Sequence, residues 1–175
     1  MRENGTASIV NSRFMLLTTF QFTVPDDYDH TTQLASFAKK NRKKFYFYNK
    51  NITDANFSKA TNKLTPGKVY EVKTFKITER VTSRNCLAFL KTQKAILVGA
   101  QGISAVWQQA KEQFFKGKWT VSFDEKSVLW RSTDGYHQVP YIDRNSDGNW
   151  NFDLGYFGYI WDEDECLFCV CDLSS

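Results

Sequence analysis

The run Lys39-Lys40-Asn41-Arg42-Lys43-Lys44-Phe45-Tyr46-Phe47-Tyr48 sets five cations beside two tyrosines. Ammonium and guanidinium groups neutralise phosphates, and Tyr46 or Tyr48 offers a ring face on which an unpaired base can stack. This combination predicts a nucleic-acid-binding patch made of Lys39, Lys40, Arg42, Lys43, Lys44, Tyr46 and Tyr48. With about four cations on phosphates, log affinity would fall against log salt with a slope near −3 to −3.6. The plainer alternative is a solvated helix end followed by a core strand.

Four other sets have spacings that chemistry uses. Asp143, Asn145, Asp147 and Gly148 match the early positions of a calcium loop, but Leu154 stands where a bidentate Glu belongs, so a hairpin turn is expected instead. Cys166, Cys169 and Cys171 contain a CxxC spacing whose fourth zinc ligand would have to be distant Cys86, His30 or His137. On a strand Cys169 and Cys171 share a face and Cys166 points the other way, which suits a buried terminal strand. Cys86 would be a nucleophile if Ser83 capped a helix around it, with His137 as base and Asp143 as the third member; an inert core thiol is the rival reading. Gly99 and Gly102 stand between an apolar run and an amphipathic helix, where α/β proteins bind phosphate, yet no Lys-Ser/Thr and no third Gly follow, so a tight turn is expected. HExxH, GxSxG and kinase signatures are absent from the sequence, and no cofactor is expected.

Charge is unevenly spread along the chain. From Lys39 to Lys94 there are 15 Lys or Arg against three acids, a net of +12; from Thr120 to the end there are three against 11, a net of −8. The whole chain carries only +4. Either the two regions neutralise each other, or each faces a partner of opposite sign. The acidic run Asp162-Glu163-Asp164-Glu165 is the best candidate for meeting a basic protein surface.

Those groups must be positioned by a core, and 175 residues with 42% hydrophobic and 16% aromatic content suffice for one domain. No apolar run approaches the roughly 20 residues of a membrane span, so no membrane partner and a cytoplasmic location are expected. Four cysteines are too few for a disulfide framework, and the acceptor sites at Asn4, Asn51 and Asn56 matter only in a secreted chain.

The organising stretch is Lys118 to Trp161, where apolar and polar residues alternate about the turns Asp134-Gly135 and Asp147-Gly148. It predicts an antiparallel meander of four short strands. Further strands are expected at 14–24, 45–48, 69–77 and 95–98, and helices near 31–43, around Cys86, and at 103–115. The phrase Leu64-Thr-Pro-Gly-Lys-Val-Tyr-Glu-Val-Lys73 resembles the first strand of small SH3-like barrels, a resemblance that implies no function. Residues 1–13 are expected to be loose, and 14–175 to form a single α+β domain with the meander extended by further strands and amphipathic helices packed on it. The expected function is non-enzymatic binding of nucleic acid or a nucleoprotein complex. The alternatives are a protein-interaction module or inhibitor using the acidic C-terminal half, and a small cysteine-dependent enzyme.

Overall fold

A computed structural model describes residues 13–173. The expectation for residues 1–12 lies outside them. Along the chain run β1 (Phe14–Thr23), α1 (Gln33–Asn41), β2 (Phe45–Tyr48), β3 (Val69–Ile77), β4 (Val81–Thr82), α2 (Ser83–Thr92) and α3 (Gly99–Ala110). Then come β5 (Lys118–Val121), β6 (Gln138–Arg144), β7 (Trp150–Tyr156), β8 (Ile160–Trp161) and β9 (Glu165–Asp172). The class is mixed α+β.

Seven strands form one sheet in the order β1-β3-β9-β5-β6-β7-β2, and β4 pairs with β8 apart from it. The expected four-stranded meander is not what forms. Strands β5, β6 and β7 are antiparallel neighbours, but the fourth strand leaves the sheet for Val81–Thr82. The sheet is mixed, because β9 lies parallel to β5 and β2 lies parallel to β7. Strand β9 explains the insertion: Cys166 through Cys171 are all buried, so it is stable only in the middle, with both faces covered. Strand β3, the one with the barrel-like phrase, pairs with β1 and β9 in this open sheet.

Alternation along β9 divides the core in two. Phe168 and Val170 join Phe22, Val72, Ile142 and Phe152 beneath α1 and α3, which contribute Phe37, Ile103 and Trp107. Leu167, Cys169 and Cys171 face the other way, against Leu87 and Leu90 of α2 and against Val121, Val139 and Trp161. Helix α2 is capped by Thr82, not Ser83: Thr82 Oγ1 accepts from the Asn85 N–H at 3.1 Å and Asn85 Oδ1 accepts from the Thr82 N–H at 3.0 Å. Ser83 is buried, donating to Phe157 O and accepting from Trp161 Nε1.

The expected strand 95–98 is reduced to one bridge, Ile96 to Val170. Lys94 takes a left-handed φ of 55° and the Ala95 N–H closes α2 on Leu90 O, so the segment is spent on turning the chain into α3. Helix α3 begins four residues earlier than its apolar stripe suggests, taking Gly99 to Gly102 into its first turn. This buries nearly the whole helix.

Candidate functional site

Helix α1 lays Leu34 and Phe37 on α3, with the Phe37 ring 5.6 Å from Trp107. Its first N–H groups, at Leu34 and Ala35, donate to the Asp54 carboxylate at 2.9 Å each. Its last turn carries Lys39 and Lys40, where cations suit the negative end of the helix dipole. A 3-10 turn, Arg42–Lys44, follows with all three side chains exposed. Asn41 is buried beneath them, its Oδ1 accepting from Lys44 Nζ at 3.2 Å.

Phe45 then enters the core as β2 starts at the sheet edge, paired with Trp150. The register shifts between Phe45 and Phe47, leaving Tyr46 outside the pairing. An extra residue in an edge strand re-aims its side chain, and Tyr46 is 82% exposed. Tyr48 goes elsewhere. Its ring packs edge-on to Phe45 and Phe152 and tilted against Phe37, the Arg42 guanidinium lies 5.9 Å from its centre, and burial pushes its phenol pKa up. Tyr46 is thus the ring offered to solvent, and Tyr48 is part of the wall behind Arg42.

Among the described residues no carboxylate lies within ion-pair distance of Lys39, Lys40, Arg42, Lys43 or Lys44. The ion pairs that join the basic middle to the acidic C-terminal half are Lys68–Asp172 and Lys91–Glu125, both away from the patch. The acidic turn Asp162–Glu165 sits at the start of β9, four strands from β2. At the usual spacing between strands that is about 19 Å, against a screening length of about 8 Å at physiological salt. The patch keeps its charge.

The other four sets are placed differently. Residues 145–149 form the β6–β7 hairpin turn, and Asn145 Oδ1 accepts from the Asp147 and Asn149 N–H groups, so that oxygen is spent within the turn. Cys169 and Cys171 lie on one face of β9 with their Sγ atoms 3.5 Å apart, and burial raises the Cys166 thiol to about 11. Among the described residues no three His, Cys, Asp or Glu side chains converge as a metal site would require. The position that a phosphate would take at the N-terminus of α3 is next to the chain's own Asp124, a buried carboxylate whose Oδ2 lies 3.6 Å from where a Gly99 Cβ would be. Burial raises the Asp124 pKa while N–H bonds from Thr61 and Glu125 hold it down.

Cys86 is fully buried, and burial pushes its thiol up, the reverse of what a nucleophile needs. His137 contacts Leu129 O, and Asp143 accepts from Asn151 Nδ2, so neither is engaged with the sulfur. All four free cysteines are buried. A thiol-specific probe is therefore expected to react at neutral pH no faster than the protein unfolds, and at once in denaturant; rapid stoichiometric labelling of native Cys86 would contradict this burial.

Sequence reasoning missed a second group beside the patch. Arg144 and Trp150 are cross-strand partners at the turn end of the β6–β7 hairpin, with the guanidinium 5.4 Å from the indole centre. Lys111 Nζ stands 5.6 Å over Trp107, and the two indole rings are 5.4 Å apart. The available signal was the hairpin itself, since placing the turn at 145–149 makes Arg144 and Trp150 opposite each other. No family model, curated protein or solved structure matches this chain.

Proposed function

We propose that the protein binds nucleic acid, free or within a nucleoprotein complex, through Lys39, Lys40, Arg42, Lys43 and Lys44, with Tyr46 as a stacking ring. The observation that carries this reading is the combination of five exposed, carboxylate-free cations with an aromatic ring held outside the strand pairing beside them. Cations on a short rigid turn neutralise successive phosphates and release their counterions, which is where most of the affinity arises. A ring with both faces open accepts an unstacked base, which favours single strands over duplexes.

The test is a titration of a fluorescent single-stranded oligonucleotide at several salt concentrations. For four phosphate contacts on a single strand, the log-log slope should be about −2.8. Binding that ignores salt, or no binding at low salt, would remove the proposal. Tyr46→Ser is expected to weaken binding about tenfold, within the range for loss of one base–aromatic stack, while leaving stability within about 0.5 kcal/mol because the ring is solvent-exposed.

A second reading rests on Glu163 and Asp164, exposed in the turn that leads into β9 and with no ion-pair partner among the described residues. It has the acidic turn meeting a basic protein surface. Neutralising Asp162 to Glu165 would abolish co-purification of such a partner and leave oligonucleotide binding unchanged.

A further inference from the structure

At the other end of β7 from the patch, apolar surface is left open. Trp150 pairs with Phe45 near the start of the strand, and Tyr156 lies six residues on, about 20 Å away. The exposed rings of Tyr136 and Tyr159 both contact Tyr156 there, with 4.9 and 5.0 Å between centres. Beside Tyr159 a recess of about 260 Å³ is lined by Thr82, Arg84, Lys126, Phe157 and exposed Ile160. Its walls are held in place. Thr82 pairs with Ile160, and buried Ser83 donates to Phe157 O and accepts from Trp161 Nε1.

Gly158 also lines the recess, and nothing in its own fold requires a glycine. Of the eight described glycines, five have a positive φ, and Gly102 and Gly155 each have a neighbour within 3.1 Å of an added Cβ. Gly158 has neither. Its turn, closed by the Tyr159 N–H on Tyr156 O at 3.0 Å, stays out of the left-handed region, and a Cβ would meet nothing within 4 Å. Such a glycine suits a place where another backbone comes close. Charge selects the occupant. Arg84 is exposed and Lys126 Nζ stands 5.6 Å from the Phe157 ring centre, and neither has a carboxylate within ion-pair distance among the described residues. Glu125 is taken by Lys91 at 3.4 Å, and Asp153, the carboxylate near Tyr159, accepts from Asn49 Nδ2 and Tyr141 OH. The run Asp162–Glu165 leads away, because the β4–β8 ladder passes from Thr82–Ile160 to Val81–Trp161 before reaching it.

We propose that this recess and its tyrosine rim dock a short acidic segment of another protein, with one large apolar side chain in the recess, its backbone across Gly158 and its carboxylates on Arg84 and Lys126. Size supports a single side chain: about 150 Å³ holds a benzene ring, and drug-sized ligands take about 300–1,000 Å³. Protein interfaces concentrate exposed tyrosines around such anchor pockets. Nucleic acid fits less well, because rings already in contact leave no gap for a base and two cations are few for a strand. The docking site does not depend on the nucleic-acid reading of the Lys39–Lys44 patch.

The test adds synthetic peptides, with a central Trp or Ser flanked by Glu or by Lys, to nitrogen-labelled protein while the backbone amide resonances are followed. The Trp peptide with Glu flanks is expected to shift Gly158, Tyr159 and Ile160 saturably, about tenfold more tightly than its Lys-flanked counterpart, as two exposed ion pairs imply. The Ser peptides should move none of them. Arg84, Lys126→Glu should reverse the preference between the flanks, and both side chains are exposed, so this variant folds. Gly158→Leu should weaken binding at least tenfold while unfolding at the same temperature as the parent, since its side chain enters open space. No shift at these amides, or a Trp peptide bound equally with either flank, overturns the proposal. So does a concentration-dependent dimer that covers these amides, which gives the surface to a second copy, or an oligonucleotide that shifts them in place of the peptide, which gives it to nucleic acid.

Discussion

Gly102→Ala is expected to destabilise the protein by about 3 kcal/mol, the upper end of overpacking costs in a filled core. On an exposed helix the same change would be stabilising by about 1 kcal/mol, because alanine loses less conformational freedom. Here the sign reverses. A Cβ built on Gly102 would lie 2.0 Å from Val98 Cγ2 and 2.3 Å from Val98 Cβ, distances no non-bonded carbons adopt. Val98 cannot rotate out of the way, since one of the clashing atoms is its own Cβ. The backbone cannot move freely either. The Gly102 N–H donates to Val98 O at 3.0 Å, Ser122 Oγ donates to Gly99 O at 2.8 Å, and Gln101 Nε2 donates to Phe57 O at 2.9 Å. For a chain of this size the midpoint of thermal unfolding should fall by roughly 6–12 °C. Gly117→Ala is the control: its φ is +78° but nothing lies within 4 Å of the added carbon, so only the left-handed backbone is penalised, by about 1–2 kcal/mol. A Gly102→Ala protein as stable as the parent would mean that the turn into α3 is not packed as described.

That turn shows where sequence patterns stop being informative. The stripe of Ile103, Val106, Trp107 and Ala110 was legible as a helix because period 3.6 is a local signal. Its true start was not, because Gly99 to Gly102 enter the helix through packing against Val98 and Asp124, which lie on other segments or outside the period. The alternations in β5 and β7 were likewise legible, as was the buried character of Cys166 to Cys171. A strand that is apolar on both faces says that it is central but not which strands it lies between, and β9 settles between β3 and β5, far from both in sequence. For the candidate site, the cations of 39–44 could be read directly. The bulge that expels Tyr46 and draws Tyr48 inward could not, since the pairing of β2 with β7 crosses about a hundred residues. Phe45 comes to lie opposite Trp150, on the far side from Arg144, only through that pairing.

Removing four cations at once, as Lys40, Arg42, Lys43, Lys44→Ala, should weaken oligonucleotide binding at least a hundredfold near physiological salt and flatten the salt slope from about −2.8 toward zero. A hundredfold is about 2.7 kcal/mol, or roughly 0.7 kcal/mol per cation, within the range of solvent-exposed ion pairs. The fold should tolerate the change. Lys44 loses its bond to Asn41 and Arg42 leaves the Tyr48 ring, but mutual repulsion among the cations is relieved, and the helix end loses at most about 1 kcal/mol of dipole compensation. The decisive comparison is Lys59, Lys63, Arg80, Arg84→Ala, which removes the same charge from exposed positions outside the patch. If affinity came from net charge alone, the two proteins would lose it equally. Position matters if the first loses a hundredfold and the second only a few-fold, because at about one screening length or more from the strand a cation contributes attraction but no counterion release. Equal losses would mean that the cluster on the turn after α1 is only a solvated helix end, whatever the oligonucleotide does at other surfaces.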